Sequence, residues 1–539
     1  MLLIQEMVVL VVLMNEKIKM NKDKKFYITT PIYYPSANFH IGHCYTTIVA
    51  DAIARYKRLT GYDVFYLTGT DEHGEKIQKK ASEAGVTPKE YVDKIVANAK
   101  DLWKSLDISY DKFIRTTDEE HVKCVQKIFE RLYKQGDIYK GEYKGLYCTP
   151  CESFWTETQL INGKCPDCGR DVQMTKEEAY FLKLSKYEDW LRDYINTHDD
   201  YIVPSIKKNE MLSFLDNGLD DLCVSRTSFD WGIKVPFDEK HVIYVWLDAL
   251  TNYITFQGYM SDEENFKKYW PADVHVVGKD ILRFHSIYWP IMLHALDLPI
   301  TKQVLAHPFY VDAKGGKMSK SKGNALYADE MVKYFDVDAI RYYLLSELGL
   351  THDGNIGYEL IIDKYNADLA NTLGNLVNRT ISMSHKYFDG VVEVPQEINE
   401  EEDTELIKMA TSLGDKIDEF MKEFKVQNAL NLIFDLYRRC NKYIDETMPW
   451  VLAKDDSKRD RLNTVLYNLL EAIRIGNVYL EAFLPETADK IFKQLNTQNR
   501  DIHSTNDFKG MDSGIKLNKP EVLFKRIDKD ELLKEIYGE

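Results

Sequence analysis

The sequence predicts an α/β protein: a parallel-sheet domain broken by an insertion and followed by an all-α domain. Three observations lead there. Short β-rich runs alternate with amphipathic helices from Lys25 to Leu132. From about Gly141 to Lys240 that alternation gives way to short strands, turns and crowded cysteines, and then "HVIYVWLD", "DVHVVGKD" and "QVLAHPFYV" restore it as buried-strand runs. Past Lys333 no convincing strand follows "THDGNIGY", and long helical stretches take over.

Each element has a local reason. "KFYITT" reads as the first strand, and the helix after "PSANFHIGH" carries Ile41, Tyr45, Ile48, Ala52, Tyr56 and Leu59 on one stripe until Gly61 stops it. "DVFYLTG" is a second strand leading to "TDEHG", and a helix covers Pro88 to Leu106. "KFIRTT" is a third strand. Thr117 and Glu120 are spaced as a capping box for a helix whose Val122, Val125, Phe129 and Leu132 face one way. Beyond the insertion, "DKYNADLANTLGNLVNRTISMSHKYF" and "KVQNALNLIFDLYRRCNKYIDE" read as long helices, and "EINEEEDTE" as a solvated helix start or connection.

The resulting boundaries are an N-terminal extension at 1–24, two halves of a Rossmann-like nucleotide-binding domain at 25–140 and 241–310, an insertion at 141–240, a connecting region at 311–361 and a helical domain at 362–539. The run "MLLIQEMVVLVVLM" contains Glu6, lacks the positive leader of a secretory signal and is too short to span a bilayer. It is read as disordered or as an artefact of an upstream start, with no function assigned. The expectation is a cytoplasmic protein with no membrane partner.

A length of 539 residues, with 44% hydrophobic and 29% charged, suits a soluble chain of several domains and excludes extended disorder. The net charge of −16 opposes generic attachment to polyanions, so any nucleic-acid partner is held by local patches.

"HIGH", His40 to His43, falls where a loop becomes a helix in the first β-α connection. Orphan N–H groups and the helix dipole favour a phosphate there, Gly42 leaves room for a nucleotide, and His40 and His43 add donors that can follow charge developing on phosphorus. Downstream, "DAKGGKMSKSKGNAL" interleaves Lys314, Lys317, Lys320 and Lys322 with glycines, a flexible cationic segment able to fold over a polyphosphate. Four cysteines, Cys148, Cys151, Cys165 and Cys168, stand in a C-x2-C-x13-C-x2-C pattern that suits a closed, structural Zn²⁺ site in a reducing compartment.

Together, "HIGH" and "KMSKS" are the signature pair of class I aminoacyl-tRNA synthetases, and from about Lys25 onward the chain resembles the methionyl-tRNA synthetases. The resemblance implies activation of L-methionine with ATP to methionyl-adenylate and esterification of the terminal adenosine of tRNA(Met), initiator included. It implies that Ile32, Tyr34, Trp246, Ala249, Tyr253 and His285 surround the methionine side chain, with Asp71 on its ammonium. Aromatic walls and one or two donors suit a polarizable thioether. Members often carry a tryptophan shortly before the "SR" pair; here Leu222 precedes Ser225 and Arg226.

For ATP the resemblance implies His40, Gly42 and His43, then Gly278 and Asp280 at the ribose, and Lys317, Met318, Ser319, Lys320 and Ser321 at the phosphates with Mg²⁺; Asp280 could equally be a helix N-cap. It makes His40, His43, Lys317 and Lys320 the catalytic set, places the zinc knuckle beside the acceptor end of tRNA, and makes Asn375, Arg379 and Trp450 the readers of a CAU anticodon. Asn375 and Arg379 lie off the apolar stripe of Leu369, Leu373, Leu376 and Thr380, and Pro449 sets Trp450 at a helix start. Two other classes share some of these features, a small-molecule nucleotidyltransferase and a zinc-dependent RNA-binding protein. Because the chain ends at "ELLKEIYGE" without the appended dimerising domain of larger relatives, a monomer is expected.

Overall fold

The computed structural model describes residues 24–538 apart from 152, 156, 167, 317–325 and 397–399. Residues 1–23 of the 1–24 extension and "KMSKS" therefore lie outside the described residues. The chain divides into two compact units, one of residues to Asp51 with Gly61–Pro308, the other of Ala52–Thr60 with the chain from Phe309 onward.

The first unit is built on a six-stranded parallel sheet of β1 (Lys25–Tyr33), β2 (Asp63–Thr70), β3 (Lys112–Arg115), β4 (Ile202–Val203), β5 (Val274–Gly278) and β6 (Gln303–His307), in the order β3-β2-β1-β5-β6-β4. Its central strands are buried on both faces, which is why Phe26 to Pro31 and Val274 to Gly278 are buried without alternation. From β1 the chain runs outward through β2 and β3, then returns to the other side of β1 with β5. Strand order reverses there, and the carboxyl ends of β1, β2 and β5 flank the crevice where such sheets bind ligands. Edge strand β4 comes from within the stretch that the sequence assigns to the insertion.

Helices α1 (Ile41–Leu59), α2 (Pro88–Ser105) and α3 (Glu119–Lys134) follow the first three strands' connections. At the start of α2, Thr87 and Glu90 form a capping box with Pro88 in the first turn. The box expected at Thr117 and Glu120 does not form. Asp118 is the N-cap of α3, and the Thr117 hydroxyl donates to the buried carboxylate of Glu72 at 2.7 Å. A buried anion outbids a local turn for that donor.

Within the insertion, Ile138–Cys148 pairs antiparallel with Gln173–Leu182 from Ile138↔Leu182 to Tyr147↔Gln173, flanked by Ser153–Trp155 and Leu222–Cys223. Helices Glu188–Thr197 and Ser205–Leu215 also lie there. "HVIYVWLD" is not one strand of the main sheet. Its strand, Asp238–Ile243, pairs antiparallel with Ser225–Arg226 and Lys234–Val235, and α4 (Val245–Thr255) begins two residues later. All of α4 except Trp246 is buried, so its apolar text carries no helical period and prolongs the strand's. "QVLAHPFYV" likewise splits at Pro308: β6 ends at His307, and Tyr310–Asp312 pairs with Gly354–Ile356 in the second unit.

The second unit is mainly helical. Its first long stretch runs from Tyr358 through π-helical turns at Tyr365–Gly374 into α5 (Asn375–Phe388). After α6 (Val426–Thr447) and α7 (Pro449–Leu452), α8 (Arg459–Leu480) is buried at every position from Thr464 to Leu480. Two charges inside it are paired: Glu471 accepts from Arg474, both fully buried, and also from the backbone N–H groups of Gly510 and Met511 at 2.7 and 2.9 Å. A side chain at Gly510 would lie 1.9 Å from the Arg474 guanidinium, so only glycine lets this segment close over the pair.

Candidate active site

Helix α1 begins directly after His40. The Gly42 backbone N–H donates to His40 Nδ1 at 3.0 Å, and the His40 N–H to His43 Nδ1 at 3.1 Å. Each Nδ1 is thus an acceptor, so each neutral ring carries its proton on Nε2. Among the described residues neither Nε2 has a hydrogen-bond partner. The rings lie 4.0 Å apart, and Phe39 stacks on His43 at 4.9 Å. Burial and the neighbouring His40 hold His43 well below the ordinary imidazole value, while partial loss of hydration lowers His40. Gly42 has a further use: a Cβ there would stand 2.8 Å from His40 Cε1, so its absence admits the histidine ring.

Trp246, Ala249 and Tyr253 share one face of α4, at spacings of three and four. Trp246 stacks on Phe284 with centroids 3.6 Å apart and planes 8° from parallel. Phe284 and His285 both sit in π-helical turns at Phe284–Tyr288, a distortion that recurs at functional sites. His285 Nδ1–H donates to the Ile281 carbonyl at 2.9 Å, so its Nε2 accepts from the Tyr253 hydroxyl at 2.7 Å. Burial pushes His285 down to about 4, and the ring is neutral. Beneath Tyr253, His275 stacks at 4.1 Å. The Trp289 indole N–H donates to His275 Nε2 at 3.2 Å, which leaves its proton on Nδ1, 2.7 Å from the Thr29 hydroxyl. At the end of β1, Ile32 and Tyr34 are half-buried and pack against the same core.

Asp71 is buried just past β2, its backbone N–H donating to Tyr33 O at 2.9 Å. The residues beside it form a network that sequence reasoning missed. Glu72 takes two hydrogen bonds from Arg115, at 2.6 and 2.9 Å, with others from Thr70 and Thr117. The carboxylate of Asp248 lies between His73 Nδ1 and His121 Nε2, each at 2.7 Å. Burial works against this charge, but the two imidazoles hold the carboxyl below its usual range, so it is an anion accepting from both rings. The signal was present in "TDEHG", two acids and an imidazole at a strand end, but the partners lie far along the chain. Another unforeseen link joins Thr46 to His307 Nε2 at 2.8 Å.

Gly278 ends β5, and Asp280 is exposed in the turn that follows. The N-cap of that turn is Gly278, so the capping alternative for Asp280 does not hold. Lys317, Met318, Ser319, Lys320 and Ser321 lie outside the described residues.

The four cysteines converge. Cys148 and Cys168 Sγ are 3.6 Å apart, Cys165 and Cys151 3.9 Å, and all four sulfurs lie within 4.8 Å of one another. These gaps are too wide for disulfides. They match the edge of a tetrahedron with metal–sulfur bonds of about 2.3 Å, roughly 3.8 Å, so the donor set fits Zn²⁺. Gly169, at φ +70°, turns the chain so that its N–H donates to the Cys165 carbonyl at 2.8 Å.

In the second unit, Asn375 opens α5 exposed, while Leu369, Leu373, Leu376 and Thr380 are buried. Arg379 is half-buried, 3.9 Å from the Asp445 carboxylate. Met448, at φ +42°, turns the chain ahead of Pro449, and Trp450 emerges 40% exposed, which excludes a core indole.

A parallel sheet with donor imidazoles at the switch-point crevice, a cysteine-bearing insertion and a following helical unit defines a class I aminoacyl-tRNA synthetase. The profile described as "tRNA synthetases class I (M)" matches residues 26–176 and 169–381, and "Anticodon binding domain of methionyl tRNA ligase" matches 394–536. The methionine–tRNA ligase of Clostridium acetobutylicum is 60% identical over 519 residues, 96% of this chain and 80% of that protein, and that of Caldanaerobacter subterraneus is 58% identical over 507 residues, 94% and 79%. The Mycobacterium tuberculosis methionyl-tRNA synthetase in complex with methionyl-adenylate superposes with a TM-score of 0.90 at 40% identity, over 93% of this chain and 100% of that one. The chain belongs to the methionyl-tRNA synthetase family.

Proposed function

We propose a division of labour among the side chains above for the reaction of this family. The protein is a methionine–tRNA ligase, activating methionine with ATP and transferring it to tRNA; the single observation that carries this is 60% identity to a methionine–tRNA ligase across 96% of the chain. The methionine carboxylate attacks the α-phosphorus of ATP, a P–O bond forms, and pyrophosphate leaves with the electrons of the broken bond. No nucleophilic side chain is needed. His40 and His43 donate through Nε2–H to phosphate oxygens that gain charge in the transition state, a task a neutral imidazole performs without giving up its proton. Lys317 and Lys320, with Met318, Ser319 and Ser321 between and beside them, hold the β and γ phosphates alongside the Mg²⁺ that accompanies ATP, and Gly278 and Asp280 meet the ribose.

Asp71 pairs with the ammonium, while Trp246, Ala249, Ile32, Tyr34, Tyr253 and His285 enclose the thioether. Locking the Tyr253 hydroxyl onto His285 leaves the pocket few loose donors, which favours a weak acceptor such as sulfur over a hydroxylated side chain. A terminal tRNA adenosine hydroxyl then attacks the methionyl carbonyl and AMP departs. Cys148, Cys151, Cys165 and Cys168 would hold one Zn²⁺ as a closed structural centre that stiffens the insertion beside the acceptor end. Asn375, Arg379 and Trp450 read the CAU anticodon, with the protein acting as a cytoplasmic monomer. Among the described residues no helix is long and apolar enough to cross a membrane.

Pyrophosphate exchange into ATP, run with each of the twenty amino acids, tests the specificity. Methionine alone should support rapid exchange; equal exchange with isoleucine or cysteine would overturn it.

A further inference from the structure

The ends of the methionine site are carried by two separate pieces of chain. One is the loop after β2, bearing Asp71; the other is α4, bearing Trp246, Ala249 and Tyr253 on one face. Most tethers of the loop lead elsewhere. Asp71 is joined to β1 through Tyr33, and Glu72 to Arg115 and Thr117 at the far edge of the sheet. The Trp231 indole donates to the Glu72 carbonyl at 2.6 Å, and the Gly74 N–H to the Trp231 carbonyl at 3.0 Å. The bond from His73 Nδ1–H to Asp248 ties the loop to α4, and its acceptor lies one residue before Ala249 and two after Trp246. Asp248 is 1% exposed, and its other oxygen is held by His121, which also meets Thr255 at 2.8 Å in the last turn of α4. A charge-assisted bond between two buried side chains is short, strong and directional, so it sets distance where apolar packing would let the helix slide.

We propose that Asp248 and His73 are positioning residues for methionine: their bond sets the spacing between the group that binds the ammonium and the helix face that encloses the thioether. The proposal rests on the reading of Asp71 and of the α4 face given above. Neither residue touches substrate. Both act on the length of the site, and therefore on how sharply methionine is told from a homologue one methylene longer. A span error of a fraction of an ångström misplaces one end whenever the other is seated.

The test uses the full chain in pyrophosphate exchange, with methionine and ethionine as alternative substrates. His73→Ala should raise the KM for methionine about ten-fold with kcat and the KM for ATP within about two-fold, and lower the preference for methionine over ethionine by about five-fold. An asparagine amide reproduces a donor at the Nδ1 position, whereas glutamine places its donor at the Nε2 position. His73→Asn should therefore stay within about two-fold of the parent and His73→Gln should behave as His73→Ala. This contrast holds even if the alanine variant folds poorly, and a purely structural role would give no such ordering. Asp248→Asn, which turns an amide N–H toward one imidazole donor, should match His73→Ala. An unchanged methionine KM and unchanged ethionine preference in folded His73→Ala, or equal behaviour of the asparagine and glutamine variants, would overturn the proposal. Asp71→Asn separates the two levels. If it leaves the methionine KM unchanged, the ammonium reading falls and the proposal with it. If it raises that KM at least as much as His73→Ala, the reading stands and the His73 variants decide.

Discussion

At the start of α1 two imidazoles are fixed by backbone bonds within four residues, and among the described residues their Nε2 protons are unshared, whereas on α4 Asp248 and Tyr253 are held by side chains from distant elements. The proposed ligands account for the contrast. Charge that builds on a phosphate during reaction needs donors that are oriented beforehand but uncommitted, and a helix start provides that cheaply through its own backbone. A thioether makes no strong bond, so its recognition depends on the shape of a cavity, and shape in a dense interior requires many fixed walls. One region can be short in sequence and half-open. The other must be deep and cross-linked.

Four measurements break or sharpen this comparison. The largest effect belongs to the open donors: His43→Ala should slow methionine-dependent exchange by about 10²–10³-fold with little change in methionine KM, as expected for an interaction strongest in the transition state. His43→Gln, which returns a donor to the Nε2 position, should recover part of the loss, and a glutamine variant no better than alanine would show that the tautomer assignment is wrong.

On α4 the expected change is smaller and of another kind. Tyr253→Phe strips the donor from His285 Nε2 and leaves a buried acceptor unsatisfied, a cost of about 1–3 kcal/mol. It should appear as a raised methionine KM and a lower melting temperature, and a variant as stable and as tight as the parent would contradict the Tyr253–His285 hydrogen bond.

The buried histidines make stability depend on pH. His285 and His307 are pushed down to about 4 by burial, and His275 lies well below the ordinary value. A group with a depressed folded pKa favours unfolding once the unfolded chain can bind a proton that the folded chain refuses, so stability is full above about pH 6.5 and falls as pH drops toward 4. Melting temperatures across that window should decline, and less steeply in His285→Gln than in the parent. A flat profile would mean these rings are not excluded from water.

The smallest effect on activation belongs to the second unit. Trp450→Ala should leave pyrophosphate exchange within about two-fold while reducing charging of tRNA(Met) by about ten-fold or more, since a base–aromatic stack is worth about 1–3 kcal/mol. Loss of exchange as well would assign the indole to something other than anticodon recognition.

Much of this was legible before any coordinates. The start of α1 could be read because its polar residues adjoin an apolar stripe, whereas Trp246, Ala249 and Tyr253 were reached through the family resemblance alone, since the text of α4 shows no helical period. "HVIYVWLD" misled because a short buried helix and a buried strand are both simply apolar. Thr117 misled for a different reason: its local geometry suits a cap, but the buried Glu72 carboxylate has the stronger claim on its hydroxyl.

The sequence by itself determined what depends on neighbours within a few residues: helix starts, apolar faces, and cysteine pairs on tight turns. Only the tertiary structure decided which strand lies beside which, which ring nitrogen keeps its proton, and that Asp248 lies between His73 and His121, 175 and 127 residues away along the chain. The reason is physical. A helix or turn is selected by backbone bonds to nearby groups, whereas the partner of a buried charge is whichever group the packing of whole elements brings to it, and no local pattern records that choice.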